Sequence, residues 1–79
     1  GDIQKGDIIV FQHNKEYLVK RVEAVEGDLI ESNGENLVVP EGGFYVLGDN
    51  GQCSYDSRYW EYPFVMNDDI VAKVILPTR

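Results

Sequence analysis

The sequence predicts an all-β fold, a small antiparallel sheet or partly open barrel, and three observations carry that prediction. Short runs rich in β-branched and aromatic residues are broken repeatedly by Gly, Asn and Asp. The stretch YLVKRVEAV (17–25) fits a two-residue alternation of faces, with Leu18, Lys20, Val22 and Ala24 on one side and Tyr17, Val19, Arg21 and Glu23 on the other. Asn33-Gly34 is the residue pair that a tight hairpin turn favours. No segment sustains a helical apolar period long enough to compete.

Taken in order, DIIVF (7–11) reads as the first strand, and QHNKE (12–16) turns the chain into YLVKRVEAV (17–25). EGD (26–28) breaks the pattern and LIE (29–31) resumes it. SNGEN (32–36) closes a hairpin onto LVV (37–39), with Ser32 assigned to the turn. PEGG (40–43) interrupts before FYVLG (44–48), which leads into the polar stretch GDNGQCSYDSRYW (48–60). The aromatic run YWEYPFV (59–65) then returns to strand-like composition, MNDD (66–69) turns, and IVAKVIL (70–76) closes the fold. There is no internal repeat and no low-complexity tract.

Size and charge restrict function. At 79 residues the chain is expected to form one domain, 1–79, with a modest core. It starts at Gly1 and its only methionine is Met66, so it is expected to be a piece of a longer protein. Seven basic against fourteen acidic residues give a net charge of −7, which repels phosphate backbones and argues against a nucleic-acid partner. Cys53 is the single cysteine, so neither an internal disulfide nor a cysteine-based zinc site can form. No apolar run approaches the ~20 residues of a spanning helix, so any membrane contact would come through a segment outside this chain.

Lys20 is the first candidate for chemistry, because the alternation puts it on the more apolar face of its strand. Burial disfavours the charged form of an ammonium, and a lysine that can be neutral near physiological pH can act as a general base. The alternative is that Lys20 snorkels from the strand to water. His13 falls in a turn without a second histidine and is assigned to the surface.

The stretch 48–58 is the second candidate. Asp49, Asn50, Ser54, Asp56, Ser57 and Arg58 bring donors, acceptors and an opposite-charge pair into one loop. Asp56 and Arg58, two residues apart, can clamp it by charge-assisted hydrogen bonds. The spacing of oxygen ligands does not match a calcium loop. A purely structural turn with Asx-type bonds is the alternative reading.

Three segments, GDIIVF (6–11), KRVEAVEGD (20–28) and GDNGQCSYDSR (48–58), resemble in order and spacing three sequence boxes of bacterial type I signal peptidases, the serine/lysine proteases that remove secretory signal peptides. The resemblance runs from about Gly6 to Pro77. It implies a signal-peptidase-like all-β fold. It also implies Lys20 as general base and Ser54 as the hydroxyl that orients it. Asp56 and Arg58 match the bracing pair, Ser57 lies between them, and Gly48, Asp49 and Asn50 match the start of the loop. The expected partners are signal peptides of preproteins, with the catalytic domain on the outer side of the cell membrane. No metal or organic cofactor is implied.

The sequence also departs from the family pattern. EAVE (23–26) stands where the second box commonly reads IGLP, and Gly51 replaces the arginine that commonly follows GDN. The nucleophile box, a serine followed by Met and Pro, is absent. In the family it lies N-terminal to the matched region, so the nucleophile is expected upstream of Gly1 and the chain alone is expected to be inactive. Two alternatives stay open: a catalytically silent module that binds extended peptides, and a self-cleaving repressor-type serine/lysine peptidase domain.

Overall fold

The computed structural model describes residues 2–48 and 57–75, the Tyr59 side chain excepted. Among the described residues seven strands run β1 (Ile8–His13), β2 (Glu16–Val25), β3 (Leu29–Ser32), β4 (Glu35–Val38), β5 (Gly43–Leu47), β6 (Val65–Met66) and β7 (Ile70–Val74). Single 3-10 turns cover Ser57–Tyr59 and Asn67–Asp69, and the described residues form no α-helix. The main sheet is antiparallel in the order β6-β5-β2-β1-β7, and β3 and β4 form a separate hairpin. The all-β antiparallel architecture is the one the sequence predicts.

Both short hairpins follow from their turn residues. Between β1 and β2, Asn14 and Lys15 have φ of 50° and 70°; between β3 and β4, Asn33 and Gly34 have φ of 54° and 84°. Positive φ at both central residues is the turn geometry whose twist matches paired strands. Asn and Gly adopt it readily, whereas Lys15 holds it against its Cβ.

A bulge in β2 divides the apolar residues between two faces. The register with β5 runs Arg21↔Leu47, Val22↔Val46, then Ala24↔Tyr45 and Val25↔Phe44, which leaves one extra residue at Glu23. Tyr45 and Val46 point to opposite faces, so Val22 and Ala24 do too. Val22 joins Ile9, Phe11, Phe44, Val46, Trp60 and Val65 in one cluster. Ala24 joins Val39 and Tyr45 in the other, with Ile30, Leu47 and Phe64 packed against them. The single-face reading of 18, 20, 22 and 24 therefore holds up to Val22 and fails at Ala24.

Three further expectations need correction. YWEYPFV is not a strand over its length: only Val65 and Met66 pair, both with β5. Trp60 is instead tucked into the core at 7% exposure, edge-on to Phe11 with ring centroids 5.8 Å apart. Pro63 offers no N–H for a ladder. Ser32 is not in the turn but ends β3, buried, where its Oγ accepts a 3.2 Å hydrogen bond from the Tyr45 hydroxyl. His13 ends β1, half-buried, and its ring stacks on Trp60 at 4.1 Å.

Candidate functional site around Lys20

Lys20 lies in the middle of β2, half-buried, on the face it shares with Leu18 and Val22. On one side it is paired with Ile9, which is fully buried and is paired in turn with Lys73 of β7. On the other side, the register of β2 with β5 ends at Arg21↔Leu47, one residue along β2 from Lys20. Gly48 is where the polar stretch leaves β5. Lys20 thus lies one residue along β2 from the last β2–β5 pair, after which the 48–58 stretch begins.

The end of the loop is fixed to the same strand. β6 pairs only with Gly43 and Phe44, so it does not reach the edge of β5 at Val46. Ser57, 0% exposed, fills that place, and its Oγ accepts the Val46 N–H at 3.0 Å. The Arg58 carbonyl accepts a 2.9 Å bond from Asn33 Nδ2, tying the next residue to the β3–β4 turn. Arg58 lines a 390 Å³ hollow with Glu23, Tyr45 and Leu47. Asp49, Asn50, Ser54 and Asp56 lie outside the described residues. The structure therefore puts Ser57 at the outer edge of β5, whereas Arg58 lines a hollow with Tyr45 and Leu47 on the face of the sheet opposite Lys20.

Sequence reasoning passed over Lys73, although it interrupts an apolar strand as Lys20 does. Its Nζ lies 3.4 Å from Asp7 Oδ2 and donates to the Asp2 carbonyl at 3.1 Å. A hydrogen bond from the Gln4 N–H at 2.8 Å, more than the Lys73 charge, holds the Asp7 carboxyl below its usual range against partial desolvation. The departures from the family pattern also acquire a structural setting. Glu23 is the exposed bulge residue, and Glu26 Oε1 accepts the Gly42 N–H at 3.1 Å, bracing the turn before β5. Among the described residues no group of three or more His, Cys, Asp or Glu could hold a metal ion.

The family model described as "Signal peptidase, peptidase S26" matches residues 1–39 and 32–78, nearly the whole chain. The chain belongs to the signal peptidase S26 family. Mitochondrial inner membrane protease subunit 1 of Mus musculus is 40% identical to this chain over 67 residues, covering 73% of this chain and 40% of its own. Signal peptidase I P of Bacillus subtilis subsp. natto is 29% identical, covering 73% of this chain and 50% of its own. Signal peptidase I of Aquifex aeolicus is 38% identical over 58 residues, covering 67% and 22%. The S26 chain thus spans half or less of these relatives. A crystal structure of a signal peptidase I from Enterococcus faecalis superposes with a TM-score of 0.77 at 24% identity, over 95% of this chain and 98% of that one, and so shares the fold.

Proposed function

We propose that this chain is one domain, part of the catalytic domain of a signal peptidase I, and that it supplies the general base and its supporting loop but not the nucleophile. What supports the reading is the place of Lys20, half-buried, paired with the core residue Ile9 and next to the Arg21↔Leu47 pair at which β5 ends. An amine kept partly from water can be the base that a serine hydroxyl needs in the absence of a histidine.

In this mechanism a serine upstream of Gly1 attacks the carbonyl of the scissile peptide bond while the Lys20 amine accepts its proton. The tetrahedral intermediate collapses to an acyl-enzyme, and the leaving amine departs with a proton returned by Lys20. Lys20 then takes a proton from water, whose attack releases the acyl group. Ser54 orients the lysine. Asp56 and Arg58 brace the loop that Gly48, Asp49 and Asn50 begin, and Ser57 pins its end to β5. This chemistry uses no metal or organic cofactor. The substrate is the extended C-terminal end of a signal peptide, cleaved after small side chains and bound by strand addition to a sheet edge. A segment outside this chain anchors the protein to the membrane, with the catalytic face on the extracytoplasmic side.

A catalytically silent peptide-binding module is the second reading, favoured by Gly51 where the family commonly has arginine. Cleavage of a signal-peptide substrate separates the two. The 79-residue chain should be inactive, the longer protein carrying its upstream segment should cleave, and Lys20→Ala in that protein should abolish cleavage without unfolding it. Cleavage by the 79-residue chain alone would place the nucleophile within it and overturn the proposal.

A further inference from the structure

The β3–β4 turn holds its two central residues, Asn33 and Gly34, at φ of 54° and 84°, both exposed. Asn33 does more than turn the chain, because its Nδ2 donates a 2.9 Å hydrogen bond to the Arg58 carbonyl, 25 residues away. Arg58 follows the buried Ser57, so this bond and the Ser57 bond to Val46 hold adjacent residues at the end of the polar stretch. An asparagine followed by glycine is also chemically labile: the next backbone nitrogen can attack the side-chain carbonyl carbon, and glycine puts no Cβ in the way. Gly34 is open in this sense, since a Cβ built on it would meet nothing within 4 Å. Of the other described asparagines, Asn14 precedes Lys15, Asn36 precedes Leu37 and Asn67 precedes Asp68, each with a side chain beside the attacking nitrogen. Residues 33–36 are all exposed, and among the described residues β3 and β4 pair only with each other, so this end of the hairpin can open locally.

We propose that Asn33 is a modification site at which the chain alters itself, and that the change removes the tie between the β3–β4 turn and Arg58. The Gly34 backbone nitrogen forms a bond to Asn33 Cγ and gives up its proton, and the Cγ–Nδ2 bond breaks with ammonia as the leaving group, closing a succinimide ring. Water then opens the ring. Attack at Cγ yields aspartate, and attack at the Asn33 main-chain carbonyl carbon yields isoaspartate, in which the backbone runs through the side-chain carbon. No electrons are gained or lost. Either product carries a carboxylate where the amide stood, and a carboxylate has no proton to offer the Arg58 carbonyl. Aspartate tolerates the positive φ, whereas isoaspartate adds a methylene to a turn of fixed length. The inference goes beyond the proposed function and holds whether or not Lys20 acts as a general base.

The test incubates the folded protein at mildly alkaline pH and then digests it with a glutamate-specific protease, which isolates Asn33 in the peptide 32–35 and Asn36 in the peptide 36–41. The first peptide should gain the mass of an amide-to-acid change at least about tenfold faster than the second. Part of the product should be isoaspartate, recognised by an isoaspartyl methyltransferase. The tie itself is read by trypsin under native conditions, because cutting the Arg58–Tyr59 bond requires the segment that Asn33 holds to open. Asn33→Asp, and converted wild-type protein separated by ion exchange, should be cut there about two- to tenfold faster than unconverted protein, with cutting after Lys73 unchanged. No conversion of 32–35 in the folded protein, under conditions in which the urea-unfolded protein converts there, would overturn the site. Equal cutting at Arg58–Tyr59 in all three proteins would overturn the release of Arg58, and so would faster cutting after both Arg58 and Lys73, which marks general unfolding. Should Asn33→Asp fail to fold, the separated wild-type fractions give the same decision.

Discussion

Ser57 Oγ accepts the Val46 N–H across 3.0 Å with the serine wholly removed from solvent. The bond joins the end of the polar loop to the strand from which the loop departs two residues after Val46. Replacing Ser57 by Ala leaves a buried N–H unpaired, which costs on the order of 1–3 kcal/mol. Denaturant unfolding of Ser57→Ala should show that loss, whereas a change under about 0.5 kcal/mol would mean that water or a shifted backbone replaces the hydroxyl.

Lys15 holds a φ of 70° in the β1–β2 turn. A non-glycine residue in that region carries a penalty of about 1–2 kcal/mol, partly offset in glycine by its greater unfolded-state entropy. Lys15→Gly should therefore stabilise the chain by roughly 0.5–1 kcal/mol and raise its melting temperature. A lower melting temperature would show that the Lys15 side chain contributes more than its backbone costs.

Acid should weaken this fold through two aspartates. Asp28 is held below its usual range chiefly by the Val25 N–H at 2.9 Å, against partial desolvation, with Lys5 at 3.4 Å adding to the effect. Asp7 is lowered in the same direction by the Gln4 N–H and Lys73. A carboxyl lowered in the folded state contributes stability that is fully present above its unfolded value of about 3.9 and is lost as pH falls through the lower folded value. Unfolding free energy should thus decline below about pH 4, and less steeply in Asp7→Asn and Asp28→Asn. Identical acid slopes in all three proteins would exclude these carboxylates as the cause.

How much was legible in the sequence depended on whether the cause was local. The alternation of β2 up to Val22 and the Asn33-Gly34 turn are set by neighbouring residues, and both are where the sequence puts them. The face of Lys20 was legible for the same reason. The bulge at Glu23 was not, because it is defined by pairing with β5, 20 or more residues away. Trp60 sits in a run of high strand propensity, yet its place is decided by packing against Phe11 and His13 across the sheet. Ser57 read as one polar loop residue among several. Its burial follows from β6 ending short of Val46, a tertiary fact with no local signal.

The central claim is that the loop supports Lys20 through Ser54, and the distance between Lys20 Nζ and Ser54 Oγ in a crystal structure of the longer protein tests it most directly. A working base and its orienting hydroxyl should lie about 2.7–3.2 Å apart, with the Lys20 side chain turned toward the loop from the face it shares with Val22. Lys20 extended into solvent, with Ser54 beyond hydrogen-bond reach and no water between them, would contradict the account.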